Sequence, residues 1–135
     1  MGKKAKEKVK KQYEEELKAY ISKTISEYVD LVPIIRLYLV HWMDQPHNDK
    51  GSSFSMTYNP EIFSASFYIY QDIFREIPDE GLTRGFRDYI RYCLAHEFGH
   101  CLIWELDGKS STIEKAATLI GTLLMRLHEY VVPEV

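Results

Sequence analysis

The sequence predicts a small α+β domain, on three observations. Residues 5 to 31 carry apolar side chains at helical spacing. "FSMTY" and "IFSASFYIY" alternate apolar with small polar residues. Two further helix-length segments follow from Arg84 onward. The order is helix, strand, hairpin, helix, helix, and 135 residues suffice for one domain around one modest core.

The first helix is drawn through Tyr13, Leu17, Tyr20, Ile21, Ile25, Tyr28, Val29 and Leu31, with the apolar side toward the core. Pro33 should end it, because the residue before a proline is pushed out of the helical region. "IIRLYLVHWM" is rich in β-branched and aromatic residues and reads as a strand. "QPHNDKGSS" reads as a loop. A hairpin is expected next, its arms separated by Asn59-Pro60-Glu61. Phe54, Met56 and Tyr58 share one face of the first arm, and Phe63, Ala65, Phe67 and Ile69 share a face of the second. "PDEGLT" turns the chain into a helix that Thr83 can cap.

That helix is expected from Arg84 to about Leu106. It is apolar on nearly every side, through Phe86, Tyr89, Ile90, Leu94, Phe98, Leu102, Ile103 and Trp104, which marks a buried helix. Asp107-Gly108 should close it. A last helix is drawn from about Ser111 to Tyr130, with Ser110 or Ser111 as its cap and Glu114 in its first turn.

An apolar content of 45% and a charged content of 27% are ordinary for a globular chain and exclude wholesale disorder. The net charge of −3 hides an asymmetry. Residues 1 to 12 hold six lysines against Glu7 alone, leaving 11 basic and 19 acidic side chains in the remainder. Such a basic end can touch nucleic acid. It is read here as a solvated helix start continuous with the first helix, and residues 13 to 135 as the domain proper. The apolar runs fall well short of the ~18–20 residues that cross a membrane. No secretory leader is legible, and Lys6 occupies the position where myristoylation requires Ser or Thr. Cys93 and Cys101 on one helix would lie ~12 Å apart, beyond disulfide reach. Reduced thiols and no leader lead us to expect a cytoplasmic protein.

Within the buried helix stands "HEFGH". On a helix, His96 and His100 differ by about 40° in direction and lie one turn apart, so both imidazoles can converge on one tetrahedral ion. Glu97 points about 100° away from His96, beside such an ion, where a base can take a proton from an attacking water. Burying two imidazoles and a carboxylate among apolar residues costs several kcal/mol unless something satisfies them. A divalent cation would do so, and ordinary hydrogen-bond partners are the plainer alternative. Ala95 and Gly99 leave room for a second element to approach closely.

A catalytic zinc site needs a third protein ligand and one open position. The extended pattern with Gly and a third His is absent, since Ile103 and Leu106 stand there. Glu105 is turned about 140° from His100, and Asp107 is more than ~10 Å along the axis, so both are poor ligands. Glu114 opens the next helix after a short connection. Ala116, Ala117 and Gly121 on that helix permit close packing, so Glu114 is the choice. Its plainer role would be favourable placement at a helix N-terminus. His128 lies ~21 Å further along the same helix and cannot share an ion with it.

"HEFGH" followed by "EKAA" resembles the gluzincin metallopeptidases, whose third ligand is a glutamate on a following helix. "EKAATLIGTLLM" is similar to the Glu-x-x-Ala-Asn/Asp signature of ImmA/IrrE-type proteases and of the HtpX and CAAX prenyl endopeptidase catalytic domains. In length and element order the chain resembles the minigluzincins. The similarity covers about residues 85 to 127. Thr118 stands where those families have Asn or Asp, and the 13 residues between His100 and Glu114 make a short spacing. The resemblance implies a zincin-like domain with a sheet of about three strands. It further implies one Zn²⁺ held by His96, His100 and Glu114, and a water activated by Glu97 to hydrolyse a peptide bond. An edge strand would hold extended substrate. The donor to the oxyanion is left among His41, His47, Tyr92, His128 and Tyr130.

The expected function is therefore a small soluble zinc-dependent endopeptidase acting on a peptide or protein. Either terminal segment, the basic helix or "HEYVVPEV", could lie across the metal and hold it latent. The alternative is an inactive module that keeps a zincin scaffold for binding or structure. A nucleic-acid-binding role would rest on the lysines alone.

Overall fold

The computed structural model describes residues 2–46, 52–104 and 110–133. Among these residues are three α-helices, a short 3-10 helix and a three-stranded mixed sheet. Helix α1 spans Lys3–Leu31, strand β1 Leu37–Met43, β2 Phe54–Asn59 and β3 Ser64–Tyr70. The 3-10 helix is Gln71–Glu76, followed by α2, Arg84–Leu102, and α3, Ser110–Val131. The chain is thus a small α+β domain, as its periodicities predict.

Pro33 acts as anticipated. Val32, just before it, takes an extended conformation at φ −109° and ψ 99°, and α1 stops at Leu31. The buried side of α1 is Leu17, Ile21, Thr24, Ile25 and Tyr28. The lysines at 3, 4, 6, 8, 10 and 11 are all exposed.

The strand order is β1-β3-β2, with β2 antiparallel and β1 parallel to β3. Phe54 pairs with Ile69, Met56 with Phe67 and Tyr58 with Ala65. The two apolar sets read from the sequence therefore line one face of one sheet, since directly paired residues point the same way. Phe63 is a correction. It lies in the turn ahead of β3 with φ 53° and is exposed, and its carbonyl accepts from the Arg36 and Leu37 N–H groups. That tie fixes the start of β1 against the hairpin turn.

The core joins α1, the inner sheet face and α2. Phe98 of α2 sits between the Tyr28 ring, at 5.3 Å edge-on, and the Phe67 ring, at 4.9 Å stacked. With Ile90 and Leu94 it is completely or almost completely buried, and each such side chain contributes roughly 1.5–3 kcal/mol. Tyr28 also donates its hydroxyl to the Arg91 carbonyl at 3.1 Å, so α1 and α2 are held by both packing and a buried hydrogen bond.

Two further expectations at the helix ends, and one on the burial of α2, are revised. Thr83 does cap α2, accepting from the Phe86 N–H at 3.2 Å. The helix ends at Leu102, however, with Ile103 beyond it, four residues earlier than Leu106. It is also not buried all round: Tyr89 and Tyr92 are exposed on a flank that faces an open cleft, and Leu102 is exposed away from it. In α3, Ser110 and Ser111 both lie within the helix and not ahead of it. Glu105, Asp107 and Gly108 fall outside the described residues. Among the described residues, no helix is long and apolar enough to cross a membrane.

Candidate metal centre and cleft

The site begins with two helices forced together by small residues. Helices α2 and α3 pack with Gly99 against the Ala117 backbone and Gly121 against that of Ala95. A β-carbon on Gly121 would stand 2.6 Å from the Ala95 carbonyl oxygen, and one on Gly99 would overlap the Ala117 oxygen. Any larger residue would push α3 away. The approach carries Glu114, three residues before Ala117, over the two histidines.

The side chains meet as the sequence spacing requires. His96 Nε2 lies 2.9 Å from Glu114 Oε2 and 3.1 Å from His100 Nε2, and His100 Nε2 lies 3.2 Å from Glu114 Oε1. Metal-ligating atoms of all three residues fall within 4.8 Å of one another. Zinc bonds of ~2.0–2.1 Å in a tetrahedron separate neighbouring ligand atoms by ~3.3 Å, so these donors nearly form one face of such a tetrahedron. His96 Nδ1 is 3.1 Å from the Thr118 hydroxyl oxygen. When that oxygen accepts from Nδ1–H, Nε2 keeps its lone pair for a metal, the usual arrangement behind a ligating imidazole. Thr118 is thus able to orient His96 from the position where the resembling families place Asn or Asp. The donor set fits a divalent cation: two imidazoles, one carboxylate, and a side open to the cleft.

Glu97 lines the same cleft. Burial, and next the neighbouring Glu114 carboxylate, push its pKa up to about 8. It lies off the ligand cluster, as expected from its direction on the helix.

The cleft encloses about 870 Å³. One wall is β2, from Phe54 to Tyr58, an edge strand of the sheet. Another is the exposed flank of α2, where Tyr89, Tyr92, Cys93, His96 and His100 follow one another at helical spacing. Tyr89, expected to be buried, and Tyr92, a candidate oxyanion donor, thus lie together on one open flank. Trp104 closes one end, its ring 6.1 Å from that of Tyr58. Burial pushes the Cys93 thiol up to about 11 and the Tyr89 phenol up to about 12. Both cysteines are free, and the Cys101 thiol donates to the Met56 sulfur at 3.1 Å, joining α2 to β2 beneath the cleft.

Of the residues considered as oxyanion donors, Tyr92 lines the cleft. His41 stacks on Tyr68 in the sheet, 4.9 Å between ring centres. His128 is buried at the other end of α3, 3.3 Å from Glu27 and edge-on to Tyr28. Tyr130 is exposed near the end of α3, and His47 falls outside the described residues. The chain near Pro133 lines a separate cavity with Tyr20 and Glu27, and the described cleft lining includes no residue of α1.

No protein-family model, curated protein or solved structure matches this chain.

Proposed function

We propose that this chain is a small zinc-dependent endopeptidase of the gluzincin type. The observation that supports it is the convergence of His96, His100 and Glu114, donor atoms 2.9 to 3.2 Å apart, beside a cleft that also holds Glu97. A bound zinc ion would supply Lewis-acid activation of a water and of the scissile carbonyl. Glu97 takes the proton from the attacking water and delivers it to the leaving amine as the C–O bond forms and the C–N bond breaks. Strand β2 offers main-chain groups along its free edge to an extended peptide. Tyr92, alone of the described oxyanion-donor candidates in lining the cleft, would steady a developing oxyanion.

The test pairs metal analysis with cleavage. One zinc per chain and hydrolysis within a broad peptide library are expected, with Glu97→Gln keeping the metal and losing hydrolysis. Zinc bound without cleavage of any library peptide would sink the reading and leave an inactive scaffold that serves in binding or structure.

A further inference from the structure

On α3, the side turned away from α2 carries an uncovered apolar stripe, flanked by the exposed Arg126. Leu119 is 68% exposed, Leu123 69% and Tyr130 87%, and Leu127 and Val131 are exposed too. Leu119, Leu123 and Tyr130 point about 140–180° away from the mean direction of Ala117 and Gly121, which seat α3 on α2, and Leu127 points about 100° away.

The order of this stripe carries more than its hydrophobicity. Ala116, Leu119, Leu123, Leu127 and Tyr130 are separated by steps of three, four, four and three residues. That spacing reads the same in both directions from Leu123, and its mean of 3.5 is the repeat of helices packed side by side. Turning a copy of α3 end for end about Leu123 lays Leu119 on Leu127, Leu123 on itself and the small Ala116 against the large Tyr130. A parallel copy would instead set Tyr130 on Tyr130 and Ala116 on Ala116. The exposed side chains present roughly 600 Å² per copy, against about 800 Å² per partner in a standard interface.

We propose that two copies of this chain associate through α3, antiparallel about a two-fold axis at Leu123, with both clefts left open on the opposite side of the helix pair. The surface is isologous, and the same patch serves both copies. This assignment is independent of the metal centre.

Sedimentation velocity on the full chain over a concentration series tests it. The expected result is a shift from 15.9 kDa to twice that mass, half complete somewhere between about 1 and 100 µM. Leu123→Arg sets two cations against each other on the axis and should raise the midpoint at least tenfold. The far-ultraviolet circular dichroism should stay unchanged, and so should the melting temperature at concentrations below the midpoint, because the residue lies on the surface of the single chain. A protein that remains monomeric at about 500 µM overturns the proposal, as does monomer binding to neutral lipid vesicles through this face. Orientation has its own readout. Mixing Leu119→Cys with Leu127→Cys should give mixed disulfide dimers on mild oxidation, while each variant alone gives few. Efficient Leu119→Cys self-pairing overturns the antiparallel arrangement.

Discussion

Gly99 of α2 faces the carbonyl oxygen of Ala117 in α3 so closely that a β-carbon on residue 99 would overlap it. The obstacle is backbone, which cannot swing aside as a side chain can. Gly99→Ala should therefore destabilise the protein by about 1–3 kcal/mol, despite the better helix propensity of alanine. It should also weaken zinc binding by lifting Glu114 away. Urea unfolding and a competitive zinc titration read the two effects. Gly85→Ala, with nothing within 4 Å of the added carbon, is the control and should be neutral or slightly stabilising.

Glu114 is half exposed, and its contacts are with the two histidines. Glu114→Ala should leave the fold intact and reduce zinc affinity by ~100-fold or more, since a ligand is worth more than the groups behind it. At a zinc concentration 100 times the dissociation constant, the native protein should gain about 2.7 kcal/mol of stability. Thermal melts with and without zinc should show that gain in the native chain and its loss in the variant at the same concentration.

Thr118 can hold His96 through Nδ1, so Thr118→Val, nearly the same shape without the hydroxyl, should lower zinc affinity by ~10–100-fold. Thr118→Ser should restore most of it. Equal affinities in all three proteins would remove Thr118 from the site.

In zinc-free protein Glu97 holds its proton up to about pH 8, while in the unfolded chain it releases it near the ordinary carboxylate value of 4.5. Between those values the folded state binds more protons than the unfolded, so stability falls as pH rises and levels off above about 8. The full contribution is present below 4.5. Melts in chelator across pH 4 to 9 should show a fall of a few kcal/mol that Glu97→Gln removes. An identical profile in that variant would assign the slope to other groups.

The candidate metal cluster was legible because its residues are written locally: His96, Glu97 and His100 within five residues, and Glu114 flagged by the small residues after it. The hairpin and the Thr83 cap were equally local. What escaped depends on distant partners. The parallel pairing of β1 with β3 brackets an intervening strand, and no local pattern announces it. The end of α2 at Leu102 came earlier than Asp107-Gly108 suggested, and the 3-10 helix Gln71–Glu76 was not expected at all. His128 looked like a candidate donor by composition; only its seat between Glu27 and Tyr28 removes it from the cleft.

Between the two histidines, the positions that carry no chemistry are occupied as tightly as those that do. Phe98 is clamped between two aromatic rings, and the next residue touches a neighbouring helix backbone. A saturation library sorted only for abundance in the cell should thus already deplete variants at 98 and 99. Sorting the survivors for metal retention should then add 96, 100 and 114, so two sieves in series would separate scaffold from chemistry.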